Sequence, residues 1–262
     1  MRRPRDLERP LLGGMCIVLP LMAWEAVPRI LPLPQGAKLF FTTPSHIATA
    51  LLRLVQSGEF QRHFAVSAVE FLLGLGCAIA VGLPLGIALG RFRTLDAALD
   101  PTVTALNATP RIVWIPLLIL WFGLGIWSKV AVVFLGAVFP LLINTYEGVR
   151  STDRVLVNVV RSFGAREWQV TWMVVLPQAL PYIVAGFRLA IGRAILGVVV
   201  GEFFGASRGL GYLIASAASN YQPDVMFAGV GVFMALSLIL TFSVQAVESR
   251  LTRWRPEAAE RL

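Results

Sequence analysis

Among the ionisable side chains inside apolar stretches of this sequence, six have a type and placement that could do chemistry: Glu25, Glu70, Arg111, Arg188, Arg193 and Glu202. A charge at bilayer depth costs roughly 3 kcal/mol even on the mildest insertion scales, so such residues face a pathway or a partner. Arg111 and Arg188 fall within about two turns of one end of their stretches, where a long side chain can snorkel to the interface. Glu25 and Glu70 fall near the opposite surface and read as solvated. Arg193 differs, because it stands about fourteen residues into a stretch that starts near Ala179, roughly 21 Å along a helix axis. Glu202 follows about two and a half turns later on the opposite helix face, so the two cannot pair within one helix. Arg193 therefore needs either a carboxylate on another helix or an anionic substrate, and Arg111, Arg193 and Glu202 are the candidate lining of a translocation path.

Other chemistries lack their residues. A phosphate-binding ATPase loop needs Gly-Lys-Ser/Thr, yet the two lysines, Lys38 and Lys129, follow Ala37 and Ser128. Gly209-Leu210-Gly211 follows an apolar helix rather than a strand, which argues against a dinucleotide fingerprint. No His-Glu-x-x-His or Gly-x-Ser-x-Gly occurs, and Cys16, Cys77, His46 and His63 are too few and too scattered for a disulfide framework or a metal centre. No catalytic residue, bound cofactor or metal is expected.

The elements that position these charges follow from composition. Of 262 residues, 56% are hydrophobic and 15% charged, against about 25% charged in an ordinary soluble domain. Six apolar stretches of bilayer-crossing length run over about 11–31, 64–89, 103–122, 129–146, 179–203 and 225–247. The first starts after Arg2, Arg3, Arg5 and Arg9 and has no small-x-small cleavage site, so it reads as an uncleaved span rather than a signal peptide. Between the first two stretches lie Pro32, Pro34, Gly36 and Pro44, then a surface helix N-capped by Ser45. The reading is one all-α polytopic membrane protein with six transmembrane helices. Its domains are an N-terminus of residues 1–10, a six-span membrane domain of 11–247 with a polar loop at about 148–178, and a tail of 248–262.

Six spans place both termini on one side, so cations can be counted by side. Fourteen arginines fall on the side of the termini, against Lys38, Arg53, Arg62, Lys129 and Arg208 on the other. The positive-inside rule makes the first side cytoplasmic, which accounts for the net charge of +8 without nucleic acid. Gly82-Gly86-Gly90 and Gly197-Gly201-Gly205 put glycine at every fourth position, a spacing that lets helix backbones approach closely in lipid. Pro84, Pro110 and Pro116 interrupt their spans. Within the polar loop, two helical pieces joined at Gly164 leave Ser162, Phe163, Gly164, Ala165 and Arg166 projecting, and Leu176-Pro177 is expected to redirect the chain into the next span.

Gly164, Val174 and Leu176-Pro177 together resemble the "EAA" loop of binding-protein-dependent ABC importer permeases, with Asn158-Val159-Val160 where the naming Glu-Ala-Ala would stand. Further pieces follow in order and resemble the nitrate/sulfonate/taurine branch: Pro110 through Trp114-Ile115-Pro116 to Gly125, Phe139-Pro140 to Arg150, Leu180-Pro181 to Arg188, and Glu202 to Gly211. The resemblance implies a type I ABC importer permease-like fold in a bacterial inner membrane and a homodimer lining one path. It implies a separate ABC ATPase subunit, which uses the ATP, docked on Ser162–Arg166 with Leu176 and Pro177. A periplasmic or lipoprotein solute-binding protein would deliver a small solute, most simply an anion such as a sulfonate, taurine or nitrate. The alternative is a self-sufficient secondary transporter or channel, which often shows internal repeats; none is found.

Overall fold

The computed structural model describes residues 5–30 and 41–251. Arg2, Arg3, Arg253, Arg255 and Arg261, and the Pro32 to Lys38 stretch, lie outside the described residues. Among the described residues the chain is helical, with no strand. In order the helices are α1 (Arg5–Ile30), α2 (Pro44–Gln56), α3 (Glu59–Arg91), α4 (Arg93–Ala108), a 3-10 turn (Arg111–Trp114), α5 (Ile115–Phe122), α6 (Ile126–Arg150), α7 (Arg154–Ser162) and α8 (Glu167–Val170). A π-helical turn (Thr171–Val175) leads into α9 (Leu176–Phe203), and α10 (Leu210–Ser219) and α11 (Pro223–Leu251) complete the order.

Four helical stretches among the described residues are long and apolar enough to cross a membrane: α3, α6, the stretch from Glu167 to Phe203 and α11. The first predicted span falls on the 26-residue α1, which is not among these four, so the described residues show four such spans, or five if the bent pair α4 with Arg111–Phe122 is one span, where the sequence suggested six. The third, 103–122, is not a continuous helix as the sequence suggested: α4 and the segment Arg111–Phe122 meet at 91°. The bend has a local cause. Pro110 lacks an N–H, forces Thr109 into extended backbone (ψ 127°), and the chain restarts as a 3-10 turn. Two boundaries also differ. The surface helix starts at Pro44 with Thr43 as N-cap, and the Ser45 hydroxyl donates instead to Glu25 Oε1 at 2.8 Å.

The core is a slab in which α6 packs between α3 and α9, centred on Ala78, Val133, Ala137, Ala190, Ala194 and Val198. The glycine spacing is explained by this contact. A Cβ at Gly86 would stand 2.6 Å from the Leu142 carbonyl oxygen, and one at Gly90 2.6 Å from Val149 Cβ. On the other face of α6, a Cβ at Gly197 would stand 2.9 Å from Val133 Cα and one at Gly136 2.8 Å from the Arg193 carbonyl oxygen. Such gaps match packing in lipid, where close backbone approach stands in for the missing hydrophobic drive.

Leu176-Pro177 does not redirect the chain. Helix continues from Glu167 to Phe203, 37 residues in all, because the π turn absorbs what Pro177 disrupts. A proline leaves the carbonyl four residues earlier without its usual donor, and a widened turn shifts the bonding register to accommodate that.

Candidate functional site

The loop between α6 and α9 is built by local rules. Asp153 caps α7 by accepting from the Val155 N–H at 2.8 Å, and its own N–H donates to Gln178 Oε1 at 3.0 Å, tying the loop to the start of α9. At the other end, the Gly164 N–H donates to the Arg161 carbonyl (2.9 Å) and the Ala165 N–H to the Val160 carbonyl (3.4 Å). Those two bonds, with Gly164 at φ +80°, form a Schellman cap. Val160 and Ala165 complete it by packing against Val149, Val157, Val170, Val174, Val175 and Ala179. The two expected helical pieces joined at Gly164 are therefore present as α7 and α8.

Around this cap, apolar side chains stand exposed. Phe163 is 86% exposed, and Val155, Trp168, Trp172 and Met173 are exposed with it. Ser162 is engaged, its hydroxyl donating to the Asn158 carbonyl at 2.9 Å, and the Arg166 N–H donates to Gln169 Oε1 at 2.7 Å to start α8. Leu176 and Pro177 open α9. Beneath the loop runs a connection that sequence reasoning missed. Glu167 accepts from Arg161 Nε at 2.8 Å and Nη2 at 3.0 Å, and also pairs with Arg91, the last residue of α3. One carboxylate thus links the loop to the far end of a different span. No periodicity signals it, because the partners lie 76 residues apart.

The candidate path residues separate. Arg111 and Arg193 face one cavity of about 400 Å³ between the α4–α5 bend, α6 and α9. Arg111 donates through Nε to the Leu135 carbonyl at 3.1 Å and through Nη2 to Asn107 Oδ1 at 3.5 Å. Arg193 is solvent-exposed in the single subunit, and no ion pair among the described residues includes it. Glu202 is not brought to this cavity. It is 1% exposed and accepts from Ser67 Oγ at 2.5 Å and from the Gly211 N–H. The Leu210 N–H donates to Ser67 Oγ at 2.8 Å, and the Gly209 N–H to His63 Nδ1 at 3.0 Å. Together these groups satisfy the otherwise unpaired N–H groups that open α10.

Three further expectations change. Glu70 is buried at 2% exposure rather than solvated. Lys129 is not a free cation at a span edge: its Nζ donates to the carbonyls of Leu124, Gly125 (3.0 Å) and Gly205 (2.6 Å), tying the α5–α6 turn to the end of α9. Arg188 pairs with Glu248 at 3.2 Å across α9 and α11 rather than simply snorkelling. Cys16 and Cys77 are free and exposed, and among the described residues no His/Cys/Asp/Glu group is placed to hold a metal ion.

Comparison with known proteins gives a consistent result. Residues 82–253 match the family described as binding-protein-dependent transport system inner membrane component. The chain is 32% identical to the taurine transport system permease protein TauC of Escherichia coli (strain K12) over 261 residues, 98% of this chain and 94% of that protein. It is 37% identical to the aliphatic sulfonates transport permease protein SsuC of Bacillus subtilis (strain 168) over 213 residues, 81% of this chain and 77% of that protein. In fold it resembles a chain of the MetNI methionine ABC transporter in an inward-facing conformation, with a TM-score of 0.60 at 21% identity over 72% of this chain and 92% of that one.

Proposed function

The chain belongs to the binding-protein-dependent transport system inner membrane component family, and from that premise we propose that it is the permease subunit of an ABC importer for taurine, a related sulfonate or a similar small anion. In this reading the subunit works as a homodimer, with both termini in the cytoplasm of a bacterial cell. Two copies of a separate ATPase dock on the α7–α8 loop, and an external binding protein delivers the solute. The chain hydrolyses no ATP itself and binds no cofactor.

One observation carries the reading: a polar loop that breaks the succession of membrane helices ends in a glycine-capped knob with Phe163 and Trp168 exposed. Exposed aromatics around a rigid cap suit a partner's groove. The loop is also wired to two spans, through Arg91–Glu167 to α3 and through continuous helix to α9. A partner that pulls on the knob therefore moves the bundle, which is how work done by a separate ATPase reaches the path.

Co-expression with a candidate ATPase and binding protein, followed by proteoliposome uptake of labelled taurine, tests the proposal. The expected result is uptake that needs all three components and ATP. Uptake by this chain alone, running down a gradient without ATP, would overturn it in favour of a secondary transporter or channel.

A further inference from the structure

The cavity between the α4–α5 bend and α9 has three properties that together specify a ligand. The first is sign. Arg111 and Arg193 both line it, and no carboxylate does. Both guanidiniums bring positive charge to the same space, and Arg193 has no ion-pair partner among the described residues.

The second is depth. Arg193 lies about 26 Å along α9 from Leu176 and about 15 Å from Phe203, on a face exposed in the single subunit. A guanidinium facing lipid at that depth carries a large penalty, so this face is turned to water or to a second copy. Arg111 sits at the elbow of a span bent by 91°. Broken helices at membrane depth occur where backbone lines a protein or water-filled cavity.

The third is shape. Beside the arginines, Ile112, Leu196 and Val200 form an aliphatic wall, and the uncharged polar side chains are Thr109, whose hydroxyl donates to the Ala105 carbonyl, and Asn107. The Asn107 side-chain oxygen is turned to Arg111 Nη2, so it steadies that guanidinium and presents no charge of its own.

We propose that Arg111 and Arg193 form an oxyanion-binding site within the membrane domain, which holds the head group of a short-chain aliphatic sulfonate or similar oxyanion and packs its stem against Ile112, Leu196 and Val200. Two planar donor forks suit the several oxygens of such a head group. With no carboxylate in the wall, an ammonium on the far end of a substrate has no counter-charge there. The site therefore reads the anion and the aliphatic stem and favours an amine-free sulfonate over an amino-sulfonate of the same length, whose ammonium would be brought near two cations without a counter-charge. This inference rests on the importer reading for its place in the transport cycle, but the site can be tested without it.

The test uses the permease–ATPase complex in nanodiscs, without binding protein. Butane-1-sulfonate and its charge-reversed analogue n-butylammonium are titrated and followed by saturation-transfer NMR. Wild type is expected to bind the sulfonate and not the ammonium. Arg193→Gln should weaken sulfonate binding at least about tenfold, since a charge-assisted contact at low dielectric is lost, and Arg193→Lys should retain part of it. Asn107→Asp is isosteric and sets a carboxylate beside Arg111, so it should weaken binding about fivefold by neutralising one of the two cations while leaving the fold intact. It keeps the test decisive even where Arg193→Gln fails to assemble. Wild-type affinity in Asn107→Asp, undiminished binding in an assembled Arg193→Gln, no sulfonate binding by wild type, or equal binding of n-butylammonium would each overturn the site. ATP-driven uptake by the wild-type complex with its binding protein is measured in parallel. Loss of ATP dependence would sink the importer reading and leave the binding result standing, whereas ATP-driven uptake without sulfonate binding would overturn the site alone.

Discussion

Replacing Gly164 separates two roles that one residue could play. It holds φ +80°, and a Cβ added there would meet nothing within 4 Å. In the isolated subunit, then, substitution is penalised by the backbone alone. An alanine in the left-handed region costs about 1 kcal/mol, which shifts the equilibrium between capped and uncapped loop by about fivefold and so lowers the apparent ATPase affinity by at most about that factor. Asparagine tolerates left-handed backbone, so if the turn were all that mattered, Gly164→Asn would dock like wild type. If the partner covers the open space above Gly164, the asparagine side chain intrudes, and docking should weaken by about tenfold or more despite the relaxed backbone. Gly164→Asp should behave like the asparagine variant or worse, inserted in the membrane but without transport. The assay is interferometry of purified ATPase over nanodisc-held permease, with insertion checked by circular dichroism. A Gly164→Asn variant that docks and transports like wild type would remove Gly164 from the interface and refute this reasoning.

Cysteine tags at Thr94 and Asp153 should label only from the cytoplasm and tags at Gln56 and Ser219 only from outside; outside labelling at Asp153 would overturn the topology. Glu167→Gln should lower uptake while leaving ATPase binding near normal, because it cuts the Arg91–Glu167–Arg161 link without touching the exposed aromatics; unchanged uptake in vesicles would show that the link transmits nothing. Glu202→Ala strands the Ser67 hydroxyl and Gly211 N–H, so it should destabilise the detergent-solubilised protein by about 2–5 kcal/mol, and Glu202→Gln, which keeps one acceptor, by clearly less. Equal melting of the two by scanning fluorimetry would argue against the capping role.

The sequence conveyed what depends on local pattern. Runs of apolar residues located the spans, four-residue glycine spacing located the seam between α3, α6 and α9, and Gly164 between two amphipathic pieces located the loop turn. It did not convey what depends on which helix faces which. Glu202 looked like a path residue because a charge in an apolar run carries no sign of its partner, and that partner proved to be the start of α10, reached through Ser67 and His63 on α3. Lys129 likewise was counted only as a cation on one side of the membrane, and nothing in the sequence showed that the turn around Gly125 and the end of α9 close over its ammonium. Pro84 and Pro110 read alike as interruptions, yet α3 runs on through Pro84 and the span at Pro110 bends by 91°; Pro177, expected to redirect the chain, follows a π turn within a continuous helix.

The glycine seam limits where motion can occur. Where a single added carbon would collide with a neighbouring backbone, as at Gly86, Gly136 and Gly197, helices cannot rotate or ratchet past each other without breaking many contacts at once. The α3–α6–α9 slab is thus a girder and not a set of sliding rods. An opening that passes solute must be hinged outside it, at the bent α4–α5 span or along the surface that the proposed homodimer would bury. A load applied at Glu167 reaches Arg91 and Phe203 together, tilting the girder as one piece. Disulfides that clamp α6 to α9 should therefore leave transport intact, whereas a clamp across the α4–α5 elbow should arrest it.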